Sequence, residues 1–356
     1  MRIIPVHGRG RSPQGDPERH DKEVATRREL LRGARARTGV AAIAAALVIF
    51  AAGCGDDDDE PSRGETAGEG VTIRIAVNPW TGSAVNANVA KVLLERELGY
   101  KVELVEIDEN TQFAAIASGA LDASLEVWPS GHAEEINRYI EGRRGGPLRD
   151  GGIVNGGELG LIGNIGWWIP TYLVEERPEL ARYQGFKGNE DAVNGEFLAG
   201  DPTFVSYDEE IIKSLGLDLK VVYTGSEDAL IRAVGDAYEN KEPVLTYFYR
   251  PHWAHRRYDL TEVQLPAFDE ECEEAARERE GEGYDCDYAN DVLFKALWLG
   301  LNDKAPEAFK FLKNFNYTTD DQQEIAFQVD SEGVPIREAA ERWIAENPNV
   351  WRAWLP

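Results

Sequence analysis

Trp80 follows Asn78-Pro79 in a Gly/Ser turn, Trp128 precedes Pro129, and Trp167 and Trp168 stand together before Ile169-Pro170. Trp253 closes the run Tyr247-Phe-Tyr-Arg-Pro-His-Trp253. Proline and glycine neighbours place these rings at strand ends and loops rather than inside elements. Indoles gathered at strand ends suit a cation that has no N–H to donate, because the ring face attracts positive charge without needing a hydrogen bond. A quaternary ammonium group is such a cation. Each ring taken alone is an ordinary packing anchor, since aromatic residues dominate cores by buried area; the argument rests on the set. Trp298, Trp343, Trp351 and Trp354 read as structural, because they fall in helical or terminal packing positions.

The elements that must carry these rings alternate between strand and helix. Val71–Val77 alternates with period two and reads as a strand, Val85–Leu98 as a helix stopped by Gly99, Tyr100–Ile107 as a strand, and Thr111–Ser118 as a short helix. Ala123–Val127 is a third strand that runs straight into Trp128. The Gly- and charge-rich stretch 142–157 reads as a loop. Strands are expected at Gly166–Val174, Phe204–Tyr207, Lys220–Tyr223, Val244–Tyr249 and Leu260–Leu265, with helices at Glu209–Leu215 and Glu227–Tyr238. Helices are expected at Asn290–Leu299, Pro306–Asn314, Thr319–Val329 and Pro335–Ala345. Such alternation implies an α/β fold with a parallel sheet covered by helices on both faces. The 286 residues from Val71 onward are about right for two lobes.

The ends of the chain speak of export. Ala41–Ala52 is an uncharged apolar run behind Arg27, Arg28, Arg32, Arg35 and Arg37, too short to span a membrane. It ends in Ala51-Ala-Gly-Cys54, which resembles a bacterial lipobox with Cys54 as the lipidated residue. Residues 1–53 are therefore expected to be a signal with a long basic leader, and 54–70 a disordered acidic tether. Thr26-Arg-Arg-Glu-Leu-Leu31 also resembles a twin-arginine motif, so both export routes stay open. Ten Lys/Arg against five Asp/Glu in the leader leave −31 of the overall −26 on the remainder. An acidic mature protein repels nucleic acid and stays soluble. With Cys54 set aside, Cys272 and Cys286 are an even pair in an exported chain and are expected to form a disulfide.

Enzyme signatures are missing: there is no GxSxG, Walker loop or HExxH, and no GxGxxG follows a strand. No cofactor or metal site is indicated, and only His132, His252 and His255 lie beyond the leader. A binding site has positive support. The turn at Asn78–Ser83 opens a helix, and its free amides near Gly82 and Ser83 suit a carboxylate. Trp80, Trp128, the double Trp and the 247–253 run follow strands, whose C-termini line the crevice of open α/β sheets. A ligand with a carboxylate at one end and a bulky cation at the other is a betaine.

These residues carry a family resemblance. Leu125-Glu-Val-Trp-Pro129, Gly166-Trp-Trp-Ile-Pro-Thr-Tyr-Leu-Val-Glu-Glu-Arg-Pro-Glu-Leu180, Gly225-Ser-Glu-Asp-Ala229 and Arg250-Pro-His-Trp-Ala-His-Arg-Arg-Tyr-Asp-Leu260 resemble the substrate-binding lipoproteins of glycine betaine/choline-type ABC importers. The resemblance runs from about Val71 to the C-terminus. It implies a two-lobed periplasmic-binding (type II) fold with ligand in the interlobe cleft, residues 71–165 and 258–356 forming one lobe and 166–257 the other. It implies a cage of Trp128, Trp168 (favoured over Trp167 by strand alternation) and a third ring. Where the family commonly has Trp two residues before the Pro, this chain has Tyr249; either Tyr249 closes the cage or Trp253 substitutes. His252, with His255 second, is the expected carboxylate partner. The implied partners are a membrane permease and, through it, a cytoplasmic ATPase, with the protein lipid-anchored on the extracytoplasmic face. Rival readings are the same fold specialised for choline, carnitine or proline betaine, an exported hydrolase, and a sensor lobe.

Overall fold

A computed structural model describes residues 68–140, 152–278 and 283–356. The leader, Cys54 and nearly all of the expected tether lie outside the described residues, as does most of the expected loop at 142–157.

Among the described residues nine strands form one sheet: β1 (Thr72–Val77), β2 (Lys101–Glu106), β3 (Ala123–Val127), β4 (Ile153–Pro170), β5 (Glu196–Ala199), β6 (Lys220–Tyr223), β7 (Thr246–Arg250), β8 (Leu260–Glu262) and β9 (Asn290–Trp298). Their order is β2-β1-β3-β9-β4-β7-β5-β6, with β8 paired to β4. β1 follows its period-two pattern, with Ile73 and Ile75 fully buried and Arg74 exposed. The helix Thr81–Leu98 begins one turn before its apolar stripe and ends at Gly99, whose φ of 73° is the left-handed cap that glycine adopts without a Cβ penalty.

The sheet differs from the all-parallel expectation. β1 pairs in parallel with β2 and β3, and β5 with β6 and β7. The centre is antiparallel: β9 runs against β3 and β4, and β4 against β7 and β8. The cause is a strand where the sequence suggested a helix. Asn290–Trp298 carries helix formers, yet as β9 it lies between β3 and β4, and burial on both faces makes its apolar run fit a strand as well as a helix. Phe204–Tyr207, read as a strand, is irregular; the strand here is β5, a few residues earlier. Thr171–Glu176 is helical rather than a continuation of β4.

β4 is the spine of the two lobes. Over 18 residues it pairs first with β9, from Ile153 to Asn164, and then with β7 and β8, from Asn164 to Pro170. Strand β8 pairs with Trp168–Pro170 on the edge of β4 opposite β7. A disulfide joins Cys272 and Cys286.

Candidate functional site

Trp80 and Trp128 follow parallel neighbours β1 and β3, so both indoles emerge at the same edge of the sheet. One carboxylate fixes both. Glu126 Oε1 accepts from Trp80 Nε1 at 2.7 Å and from Trp128 Nε1 at 3.1 Å, while its Oε2 accepts from Asn86 Nδ2 at 2.6 Å and Gln322 Nε2 at 2.8 Å. Complete burial pushes the pKa of Glu126 up, and the four donors act against that rise. Gly163 on β4 makes room for the Trp128 ring: a Cβ there would stand 2.2 Å from Trp128 Cζ3.

The two rings border a small cavity lined by Trp80, Glu109, Trp128, Ser130, Ile165, Phe204, Val205, Tyr247 and Tyr249. Trp80, Glu109, Trp128 and Ser130 come from the chain before β4, Ile165 from β4, and Phe204, Val205, Tyr247 and Tyr249 from the chain after it. Trp128 meets Tyr249 edge-on at 5.5 Å between centroids, and Trp80 meets Phe204 in the same way at 5.9 Å. Tyr247 and Tyr249 share a face of β7 by strand alternation. The Tyr249 hydroxyl donates to Glu227, whose other oxygen accepts from the Thr81 N–H at 2.6 Å, so a carboxylate 146 positions away caps the helix Thr81–Leu98. Desolvation raises Glu227 to about 7.

Several expected site residues lie elsewhere. Trp168 is fully buried in β4 and does not wall the cavity; its ring packs at a tilt against His255, 4.4 Å between centroids, and has the Arg250 guanidinium 4.2 Å from its centroid. Trp167 is equally buried and donates to Asp208 at 2.7 Å. Strand alternation does send the two rings to opposite faces: Trp167 shares the face of Ile165, Tyr247 and Tyr249 that borders the cavity but lies beyond it against Phe197, and Trp168 is on the other face. Trp253 is turned to Asp330 (2.7 Å) and Phe327. His252 is buried, accepts from the Ala254 N–H through Nδ1, and holds Nε2 3.6 Å from Glu227. Desolvation lowers His252 to about 3 and His255 to about 4, so neither is a cation at neutral pH. Gly82 and Ser83 do not line the cavity. A Cβ on Gly82 would meet Glu126 and Gln322 at 3.1 Å, and Ser83 closes the Asn78 turn through its hydroxyl.

The sequence reading missed Glu109, Ser130, Phe204, Val205 and Tyr247, and the supporting Glu126 and Glu227. Two signals were available. Glu126 is a lone charge inside an apolar strand, which demands buried partners. Tyr247 lies two residues from Tyr249, hence on the same face. Phe204 and Val205 gave no signal, because an irregular segment has no period.

A cavity walled by aromatic rings between two lobes of a mixed α/β sheet defines a solute-binding protein of the periplasmic type. The chain belongs to the family described as the substrate-binding domain of ABC-type glycine betaine transport systems, which matches residues 71–346. It is 24% identical over 295 residues to the trimethylamine N-oxide-binding protein of Pelagibacter ubique, covering 78% of this chain and 89% of that one. In fold it is similar to lactococcal OpuAC in complex with glycine betaine (TM-score 0.63, 19% identity, 80% of this chain and 100% of that one). It is likewise similar to an ABC-transporter choline-binding protein in complex with choline (TM-score 0.63, 18% identity, 80% and 91%). The family and these relatives are solute-binding proteins.

Proposed function

We propose that this protein is the extracytoplasmic receptor of an ABC importer and captures a small quaternary or N-oxide methylammonium solute of the glycine betaine class. The observation that carries the reading is the pair of indoles, Trp80 and Trp128, held by Glu126 at a cavity closed from the other lobe by Tyr249. Each cation–π face contributes roughly 0.5–2 kcal/mol, more as water is excluded. Several faces together support a micromolar complex, about −8 kcal/mol. A primary ammonium would leave its N–H groups unpaired against the rings, which disfavours glycine and ethanolamine. The family resemblance and the names of the relatives point the same way. Delivery would be to a membrane permease driven by a cytoplasmic ATPase. Export through the leader and lipid attachment at Cys54 complete the proposal; mass spectrometry of the membrane-extracted protein tests the anchor, and an unmodified Cys54 rejects it.

Isothermal titration of the purified protein tests the ligand class. The panel is glycine betaine, choline, trimethylamine N-oxide, glycine and ethanolamine. Micromolar binding is expected for at least one methylated compound and none for the two primary amines. Binding of the primary amines, or of nothing in the panel, rejects the reading.

A further inference from the structure

The sequence suggested a betaine because the turn amides and a histidine offered a carboxylate site. The cavity offers the reverse. The loop amides that line it are engaged within the chain, two of them by its own carboxylates. Ser130 N–H donates to both oxygens of Asp291 at 3.1 and 3.2 Å and Val205 N–H to Glu109 at 2.6 Å; outside the lining, the Thr81 N–H at the start of its helix donates to Glu227 at 2.6 Å. The Phe204 N–H is taken by the Asp201 carbonyl and the Trp80 N–H by that of Asn78. No Lys or Arg stands in the lining, and Glu109 does. His252, the expected anion partner, is a neutral ring outside the cavity. Behind the indoles lies Glu126, and behind Tyr249 lies Glu227.

We infer that this cavity selects methylated ammonium compounds that carry no carboxylate or other anionic group. The inference rests on the methylammonium reading above and narrows it. A ligand carboxylate would have to displace internal carboxylates from their amides and then sit beside them, and like-charge juxtaposition costs several kcal/mol. A cation meets ring faces backed by acidic groups. A neutral polar contact is on offer: Tyr247 lines the cavity, and burial keeps its phenol protonated. It suits a single hydroxyl or N-oxide oxygen rather than a carboxylate.

The test is a matched pair. Choline and glycine betaine share the trimethylammonium-methylene group and differ in CH2OH against a carboxylate. Titration of the protein should show choline binding at least roughly 100-fold tighter than glycine betaine. Phosphocholine, the same cation bearing a phosphate, should not bind, while tetramethylammonium should. Glycine betaine equal to or tighter than choline overturns the inference and leaves the methylammonium reading standing; silence from every methylated compound overturns both. Glu109 Oε1 accepts from the Val205 amide and Oε2 lies 3.1 Å from the buried His132 ring; Glu109→Gln keeps an oxygen for the amide and a polar group for His132 while removing a charge. It should narrow the choline-to-betaine ratio about tenfold with its melting temperature little changed. An unchanged ratio in the folded variant overturns the electrostatic argument.

Discussion

Two pairs of tryptophans with nearly the same sequence signal come to opposite ends. Trp80 and Trp128 stand just past β1 and β3, their indole N–H groups tied to Glu126 and their rings bordering the cavity. Trp167 and Trp168 stand within β4 and are wholly buried. Both pairs neighbour a proline. The difference lies in what each ring meets. Trp128 stands at the end of β3 with its ring edge-on to Tyr249 at the cavity. Trp167 packs on Phe197 and donates to Asp208, while Trp168 on the opposite face meets His255 and Arg250. A strand aromatic meets a ligand or supplies core according to what lies opposite its face. Even the cation expected at Trp168 is present, as the chain's own Arg250.

Substitution at the two pairs should separate these roles. Trp167→Ala is expected to cost about 3–5 kcal/mol of stability, as a buried aromatic truncation does, with an added penalty for stranding Asp208. Trp128→Ala should weaken ligand binding roughly 100-fold and lower the melting temperature far less. Chemical denaturation and titration on both variants check this. If Trp128→Ala melts as low as Trp167→Ala and the folded fraction binds normally, the contrast between the pairs fails.

A second group of variants probes how the indoles are held. Glu126→Leu removes the acceptor of both rings and strands the Asn86 and Gln322 donors, so affinity should fall by more than the roughly tenfold expected of Glu126→Gln. Gly163→Ala places a methyl against the Trp128 ring and should also lower affinity about tenfold, since the neighbour that must yield is an indole pinned at its nitrogen. In both cases the ring environment is readable by tryptophan fluorescence. A Gly163→Ala protein with unchanged affinity and spectrum would show that Trp128 has slack.

The smallest effect is on pH. Burial raises Glu227 to about 7, and Asp208 and Asp291 to about 6. A carboxylate whose folded pKa is raised favours the folded state while protonated, and that contribution is lost as pH climbs through the folded value. The buried neutral histidines act oppositely, their contribution fading as pH falls below about 6.5, the ordinary histidine value. Between pH 8 and 6.5 the histidines, and Lys295, which burial lowers to about 8, oppose the carboxylates, so the Glu227 contribution is read against Glu227→Gln. Relative to that variant the melting temperature of the native sequence should rise by about 2 °C from pH 8 to 6.5. A difference between the two proteins that does not change over that interval contradicts the assignment.

The amino-acid sequence by itself determined the local elements with clear periods, among them β1, β3, the helix after Trp80 and the helices of the C-terminal third. It determined the family through blocks such as Leu125–Pro129 and Arg250–Leu260, and it placed Trp80, Trp128 and Tyr249 among the candidate ligand contacts. Tertiary structure alone decided that Asn290–Trp298 is a strand, because an apolar run buried on both faces has no diagnostic period. It alone sent Trp168, His252 and Trp253 away from the cavity and brought Glu109, Phe204 and Tyr247 to it. Those outcomes depend on which strand lies beside which, and on which carboxylate reaches which amide across the cleft. Such contacts join residues as far apart as Thr81 and Glu227, a separation of 146 positions over which sequence pattern carries no geometry.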